Sequence, residues 1–180
     1  MKKIKNILVA VTGGIAAYKA CELVRMFVKS GHNVKVVMTP AAAQFVTPLT
    51  FQTLSNNPVY MDMFALAKSE KVQHISLSDW ADVAIVAPAT ANTLAKIAHG
   101  ICDNLLTTVI CALPDKIKVF FAPAMNTNMW DNPVTQENIR LLKSIKNYKV
   151  LGVGEGELAC GITGAGRMLE PKDIFNEVAK

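Results

Sequence analysis

Residues 1–38 constrain the fold more than any other stretch. The run 7–11 is continuously apolar and rich in branched side chains, as a strand covered on both faces requires. Thr12-Gly13-Gly14 ends it, and Ala16, Ala20, Leu23, Val24 and Phe27 then recur at helical spacing as far as Ser30-Gly31. A second apolar run follows at 34–38. Strand, helix and strand in so few residues form a βαβ unit, whose right-handed crossover begins a parallel sheet with helices on its faces.

The rest of the chain continues the alternation. Strands are predicted at 83–87, broken by Pro88, at 118–121 and at 150–153. Helices are predicted from Thr47-Pro48 to about Ser55, over 92–98 with Gly100 as the stop, and over 104–113. Asn132-Pro133 caps another, with Val134, Leu141, Leu142 and Ile145 on one face, and a last helix starts near Lys172. Residues 56–73 form a long excursion whose Met61, Met63 and Phe64 would cover a site or meet a partner subunit. The segment 154–167 is glycine-rich and poor in core material, so a mobile flap is expected there. The fold class is α/β: a single-domain, doubly wound (Rossmann-like, flavodoxin-like) parallel sheet flanked by helices, with one domain over 1–180.

Composition narrows the function. With 51% hydrophobic and 18% charged residues, 180 residues are ample for one core. The net charge of +5 is spread thinly apart from Lys2, Lys3 and Lys5 at the start, without the stripe of cations and aromatics that nucleic acid requires; it suits small anions. Cys21, Cys102, Cys111 and Cys160 form no CxxC pair and have no zinc-type histidine spacing, which points to reduced thiols in the cytosol with neither disulfide nor metal. No apolar run approaches membrane-spanning length.

In an open α/β sheet, ligands bind beyond the carboxyl ends of the strands. Gly13, Gly14 and Ile15 there suit either a backbone approached by an anion at a helix start or simply a tight turn. Thr39-Pro40-Ala41 adds a hydroxyl at the neighbouring strand end, and Pro88-Ala89-Thr90-Ala91-Asn92-Thr93 adds two hydroxyls and an amide, one of which capping alone explains. Residues 122–133 interleave two methionines and a tryptophan with amides; they form either an apolar wall with amide donors or a packed loop with helix caps. His74 precedes the strand at 83–87, whereas His32 and His99 sit beside glycines at helix ends and suit structural roles. Cys160 lies in the glycine-rich segment, while Cys21, Cys102 and Cys111 fall in helical, buried patterns.

Taken together, these motifs resemble the homo-oligomeric flavin-containing cysteine decarboxylases. The resemblance rests on the run from Thr12 to Lys19, His74-Ile75, the run from Pro88 to Thr93, Pro123-Ala124-Met125-Asn126 through Trp130, and Leu158-Ala159-Cys160-Gly161. It implies FMN held by Gly13, Gly14, Ile15, Thr39, Pro40, Ala41, Thr90, Ala91, Asn92 and Thr93, with Ala124 beside the ring. It implies His74 as catalytic base, Asn126 on the substrate carboxylate between Met125 and Met129, and Cys160 as proton donor. The implied substrate is 4′-phospho-N-pantothenoylcysteine, whose thiol is oxidised toward a thioaldehyde before carbon dioxide leaves and the enethiolate is reduced to 4′-phosphopantetheine. Trimers, four of them in a dodecamer, with the cofactor at the subunit contact, are also implied. Lys19 and Arg167 are candidates for the substrate phosphate, Lys19 being equally a solvated helix residue.

Three other readings compete. Gly100 to Thr108 also resembles the peptidyl-cysteine decarboxylases of lantibiotic maturation, from which Cys160 argues away. A non-catalytic flavin-binding regulatory subunit need not keep His74, Asn126 and Cys160 together, and a flavin prenyltransferase would not use Cys160. Larger bacterial members continue into a ligase domain, so the sequence is expected to be either a stand-alone decarboxylase or part of a longer chain.

Overall fold

The computed structural model describes residues 5–64, 72–157 and 163–179. Six parallel strands, β1 (Asn6–Val11), β2 (Asn33–Met38), β3 (Val59–Tyr60), β4 (Val83–Ala89), β5 (Lys118–Pro123) and β6 (Tyr148–Val150), form one sheet in the order β3-β2-β1-β4-β5-β6. This is the doubly wound arrangement, and the strand order reverses between β1 and β4. β1 sits between β2 and β4, with Val9 opposite both Val36 and Ile85.

The pleat sends alternate residues into two cores. Ile7, Val9 and Val11 pack with α1 (Ala17–Lys29), α2 (Pro48–Ser55) and α8 (Pro171–Ala179). Leu8 and Ala10 pack with α3 (Gln73–Trp80), α4 (Ala91–Ala98), α5 (Leu105–Cys111) and α7 (Pro133–Ser144). Both faces of the central strands are therefore buried, which is why they read as unbroken apolar runs rather than alternating ones. No helix among the described residues is long and apolar enough to cross a membrane.

Several boundaries differ from the sequence reading, each for a local reason. Pro88 does not end the fourth strand. β4 runs on to Ala89, with a cis Ala87–Pro88 peptide and a register shift against β5 between Val86 and Ala89. Val86 and Ala89 thus share a core although three residues apart, and the strand end is re-aimed. The strand expected at 150–153 is β6, ending at Val150, while Val153 begins β7 (Val153–Glu157). β7 pairs antiparallel with β8 (Thr163–Met168), so the described parts of the expected flap are a two-stranded ribbon; residues 158–162, Cys160 among them, lie outside the described residues. Residues 122–133 hold a short helix, α6 (Thr127–Asp131). Cys102 lies in the loop before α5 and Cys111 is exposed, so neither fits a buried helical pattern. Thr47 precedes α2 without a side-chain capping bond.

Candidate functional site

The site is built where the sheet reverses direction. Thr12, at the end of β1, is buried, and its Oγ1 donates to the carbonyl of Pro88 at 2.7 Å while accepting from the amide of Thr90 at 3.3 Å. Thr90 in turn caps α4, its Oγ1 accepting from the amide of Thr93 at 3.4 Å and donating to the Thr93 hydroxyl at 3.2 Å. These bonds fix the two loops on either side of the reversal relative to each other. On the other side, a Cβ on Gly13 would collide with the Ala41 Cβ and lie 2.9 Å from its carbonyl carbon, so the first loop nests against the β2 loop only because residue 13 is glycine. Helix α1 starts beyond it with no side-chain cap and no acidic residue in its first turn, an arrangement that favours an anion.

A cavity of about 1110 Å3 opens over these loops. Its lining includes Gly13, Gly14, Ile15, Thr39, Pro40, Ala41, Thr90, Ala91, Asn92, Thr93 and Ala124, and it continues along Met125, Asn126 and Met129. This volume exceeds the ~300–1,000 Å3 of a typical single-ligand pocket, so it has room for a cofactor and a substrate side by side. Glycine backbone, uncharged hydroxyl and amide donors and a helix start suit a phosphate-bearing, largely planar cofactor. Among the described residues no group of three or more His, Cys, Asp or Glu is placed to hold a metal ion.

The second wall comes from residues 122–133, and both roles foreseen for that stretch coexist. Met125 and Trp130 pack against the core, and Asn126 and Asn132 cap α6 and α7, accepting from the amides of Asn128 at 2.8 Å and Val134 at 2.9 Å. Met125, Asn126 and Met129 also face the cavity. The ribbon closes over them: the Met125 amide donates to the Gly166 carbonyl at 3.0 Å, and a Cβ on Gly166 would strike the Met125 carbonyl oxygen. Glycines expected to give mobility instead allow close packing there.

His74 stands in the first turn of α3 and is not among the cavity-lining residues of its own chain; its Nδ1 is buried without a hydrogen-bond partner among the described residues. His32 and His99 are structural: His32 Nδ1 accepts from the Lys5 amide at 3.3 Å, and His99 Nε2 is 2.9 Å from Asn138 Oδ1. Two ion pairs escaped the sequence reading. Lys96 and Asp103 form a 2.5 Å ion pair on the cavity wall, which holds the Asp103 carboxyl below its usual range. Their separation of seven residues across a turn carries no helical or strand signal. Lys19 is almost completely buried and pairs with Glu170 at 2.7 Å, so it is not a solvated helix residue. That partner is 151 residues away, beyond the reach of local pattern.

Fold and cavity together define a doubly wound α/β protein with a nucleotide-type ligand site at the strand-order reversal. The chain belongs to the Flavoprotein family, whose model matches residues 1–180. It is 48% identical over 174 residues to a probable phosphopantothenoylcysteine decarboxylase of Streptococcus mutans, covering 97% of both chains. It is 48% identical over 176 residues to the coenzyme A biosynthesis bifunctional protein CoaBC of Bacillus subtilis, covering 98% of this chain but only 43% of that protein. Among solved structures, a PPC decarboxylase mutant complexed with pantothenoylaminoethenethiol superposes with a TM-score of 0.89 at 36% identity, covering 98% of this chain and 97% of the other. The FMN binding protein AtHal3 superposes with a TM-score of 0.86 at 36% identity, covering 98% and 95% respectively.

Proposed function

We propose that the chain is an FMN-dependent decarboxylase that converts the cysteine end of 4′-phospho-N-pantothenoylcysteine, giving 4′-phosphopantetheine. The observation that carries this reading is the large, continuous cavity that runs from the Gly13 and Thr90 loops to Met125 and Asn126. It places an anion-binding cradle and an amide-bearing apolar wall within reach of two ligands at once. The likeness to the Streptococcus mutans relative over 97% of both chains supports the substrate. The domain so defined spans 1–180 and works in the cytosol.

The chemistry follows from the residues. Losing carbon dioxide from the cysteinyl carbon without an electron sink would leave an unstabilised carbanion. FMN, when bound, would supply the two-electron carrier that no side chain offers, accepting an electron pair as the cysteinyl thiol is oxidised and returning it when the enethiolate is reduced to the saturated thiol. Gly13, Gly14, Ile15, Thr39, Pro40, Ala41, Thr90, Ala91, Asn92 and Thr93 hold it, with Ala124 at the ring. Asn126 binds the substrate carboxylate between Met125 and Met129. Its oxygen accepts from the Asn128 amide at 2.8 Å, and its NH2 is the end able to donate to an anion. An amide anchors the carboxylate without the positive charge that would stabilise it against leaving.

His74 acts as the base that takes the thiol proton, and Cys160 returns a proton to the enethiolate carbon. Because His74 does not line its own chain's cavity, this reading takes it across a subunit contact, in a trimer or in a dodecamer of four trimers. Incubating purified, flavin-loaded protein with 4′-phospho-N-pantothenoylcysteine and, separately, with a peptide ending in cysteine tests the reading by mass spectrometry. Conversion of the first to 4′-phosphopantetheine is expected; decarboxylation of the peptide alone would make the chain a peptide-modifying enzyme, and protein that binds no flavin would defeat both.

A further inference from the structure

Three cations line the cavity among the described residues, and their partners set them apart. Lys96 is held by Asp103 at 2.5 Å and Lys19 by Glu170 at 2.7 Å, both within full ion-pair contact. Arg167 also faces Glu170, but its Nη2 stands 3.6 Å from the same Oε1 that Lys19 occupies. Lys19 takes up the carboxylate, its Nζ also reaching the Met168 carbonyl at 3.5 Å, and Arg167 is left with a long contact and a side chain 41% exposed. The Lys19, Glu170 and Arg167 group carries a net positive charge facing the cavity.

The ribbon is shaped to aim this guanidinium. Arg167 crosses from β8 over β7, where a Cβ on Gly156 would fall 2.9 Å from Nη1 and one on Gly154 would lie 3.6 Å from the Arg167 Cβ. The trough that two glycines leave is filled by the arginine side chain. A planar guanidinium with one side only loosely engaged is suited to bidentate capture of a phosphate monoester, more so than a lysine ammonium.

We infer that Arg167 binds the phosphate of the substrate, with Glu170 and Lys19 as positioning residues that aim it. The inference rests on the substrate proposed above, which carries one carboxylate and one phosphate. The carboxylate falls to the uncharged Asn126, and the phosphate falls to the cation whose own partner is distant. Lys19 matters through Glu170: once Lys19 no longer engages it, that carboxylate is free to close on Arg167 and compete with the phosphate.

Equilibrium binding to flavin-loaded protein, read by calorimetry, tests this with 4′-phospho-N-pantothenoylcysteine and its unphosphorylated counterpart as probes. Wild-type protein should prefer the phosphorylated compound by roughly ten- to a hundredfold, and Arg167→Gln should abolish that preference while leaving the unphosphorylated compound unaffected. Arg167→Lys should restore part of it, and Lys19→Met should weaken it. A preference that survives Arg167→Gln, or the lack of one in the wild type, overturns the inference. So does equal weakening of both probes, which would put Arg167 on the carboxylate, or loss of flavin instead, which would put it on the cofactor's phosphate. Phosphate-dependent binding without turnover would break the proposed function alone.

Discussion

The two walls of the cavity are held by different forces. The wall made from the ends of β1, β2 and β4 is fixed by a chain of hydroxyls from buried Thr12 through half-buried Thr90 to buried Thr93 and by steric fit between Gly13 and Ala41. The wall made from Met125, Asn126 and the ribbon is fixed by a main-chain bond from Met125 to Gly166 and by helix caps. The first belongs to the sheet itself and can unfold only with it. The second is an attachment laid over the sheet's end, of the kind that can reposition while the core stays folded. A cofactor needs the rigid wall, and a substrate that must enter and leave needs the adjustable one.

The largest effect should come from the rigid wall. Gly13→Ala forces a methyl group into Ala41, whose backbone cannot yield without moving the end of β2. Purified Gly13→Ala protein should lack the flavin absorbance band and unfold with a stability lower by about 1–3 kcal/mol. If it retains flavin at wild-type affinity, the close nesting of the two loops is not what shapes the cradle.

The matching substitution in the other wall should separate the two functions. Gly166 has φ of +134°, and its Cβ would meet the Met125 carbonyl oxygen, so Gly166→Ala must lift the ribbon away from Met125. The protein should stay yellow yet lose about a hundredfold in turnover, because Met125 and Asn126, the groups proposed to orient the substrate, shift by about an ångström. Flavin loss to the same degree as in Gly13→Ala would erase the distinction between the walls.

A smaller effect tests the hydroxyl chain. Thr12→Val keeps the shape but leaves the buried Pro88 carbonyl and the Thr90 amide without their shared partner. Chemical denaturation should show a loss of about 1–3 kcal/mol, and flavin should bind more weakly because the α4 start is no longer tied to β1. An unchanged stability would mean that the β4 end is held by its sheet neighbours alone.

The same division explains what could be read from the residues. Strands buried on both faces carry a continuous apolar signal, so the runs at 7–11 and 34–38 and the helix between them were legible, and the threonines and glycines at their ends fell on the cavity wall. Glycine in a ribbon carries no such signal: at Gly154, Gly156 and Gly166 it marks room for Arg167 and for Met125, and nothing nearby in sequence says whether small residues mean mobility or contact. Pro88 misled for a related reason, because a register shift lets a strand continue past a proline that cannot donate to its ladder. The Lys19–Glu170 pair joins α1 to the segment just before α8, a contact that only the folded chain defines.

The smallest predicted effect concerns a thiol on the rigid side. Cys102 lies beside Asp103 and Asn104 of the cavity wall, its Sγ donating to the carbonyls of Gly100 at 3.6 Å and Thr107 at 3.8 Å. Burial, the neighbouring Cys111 thiol and the Asp103 charge push its pKa up to about 11. Folding therefore favours the neutral thiol. That contribution to stability is complete below the ordinary thiol value of about 8.5 and is lost as pH rises from there through about 11. At pH 8 only about one Cys102 in a thousand is thiolate, so alkylation followed by peptide mass spectrometry should find it modified about a hundredfold more slowly than a free cysteine peptide. The difference should vanish on denaturation. Rapid labelling of Cys102 in the folded protein at pH 8 would show that the loop before α5 opens freely, and the rigid character assigned to that wall would then stop at α4.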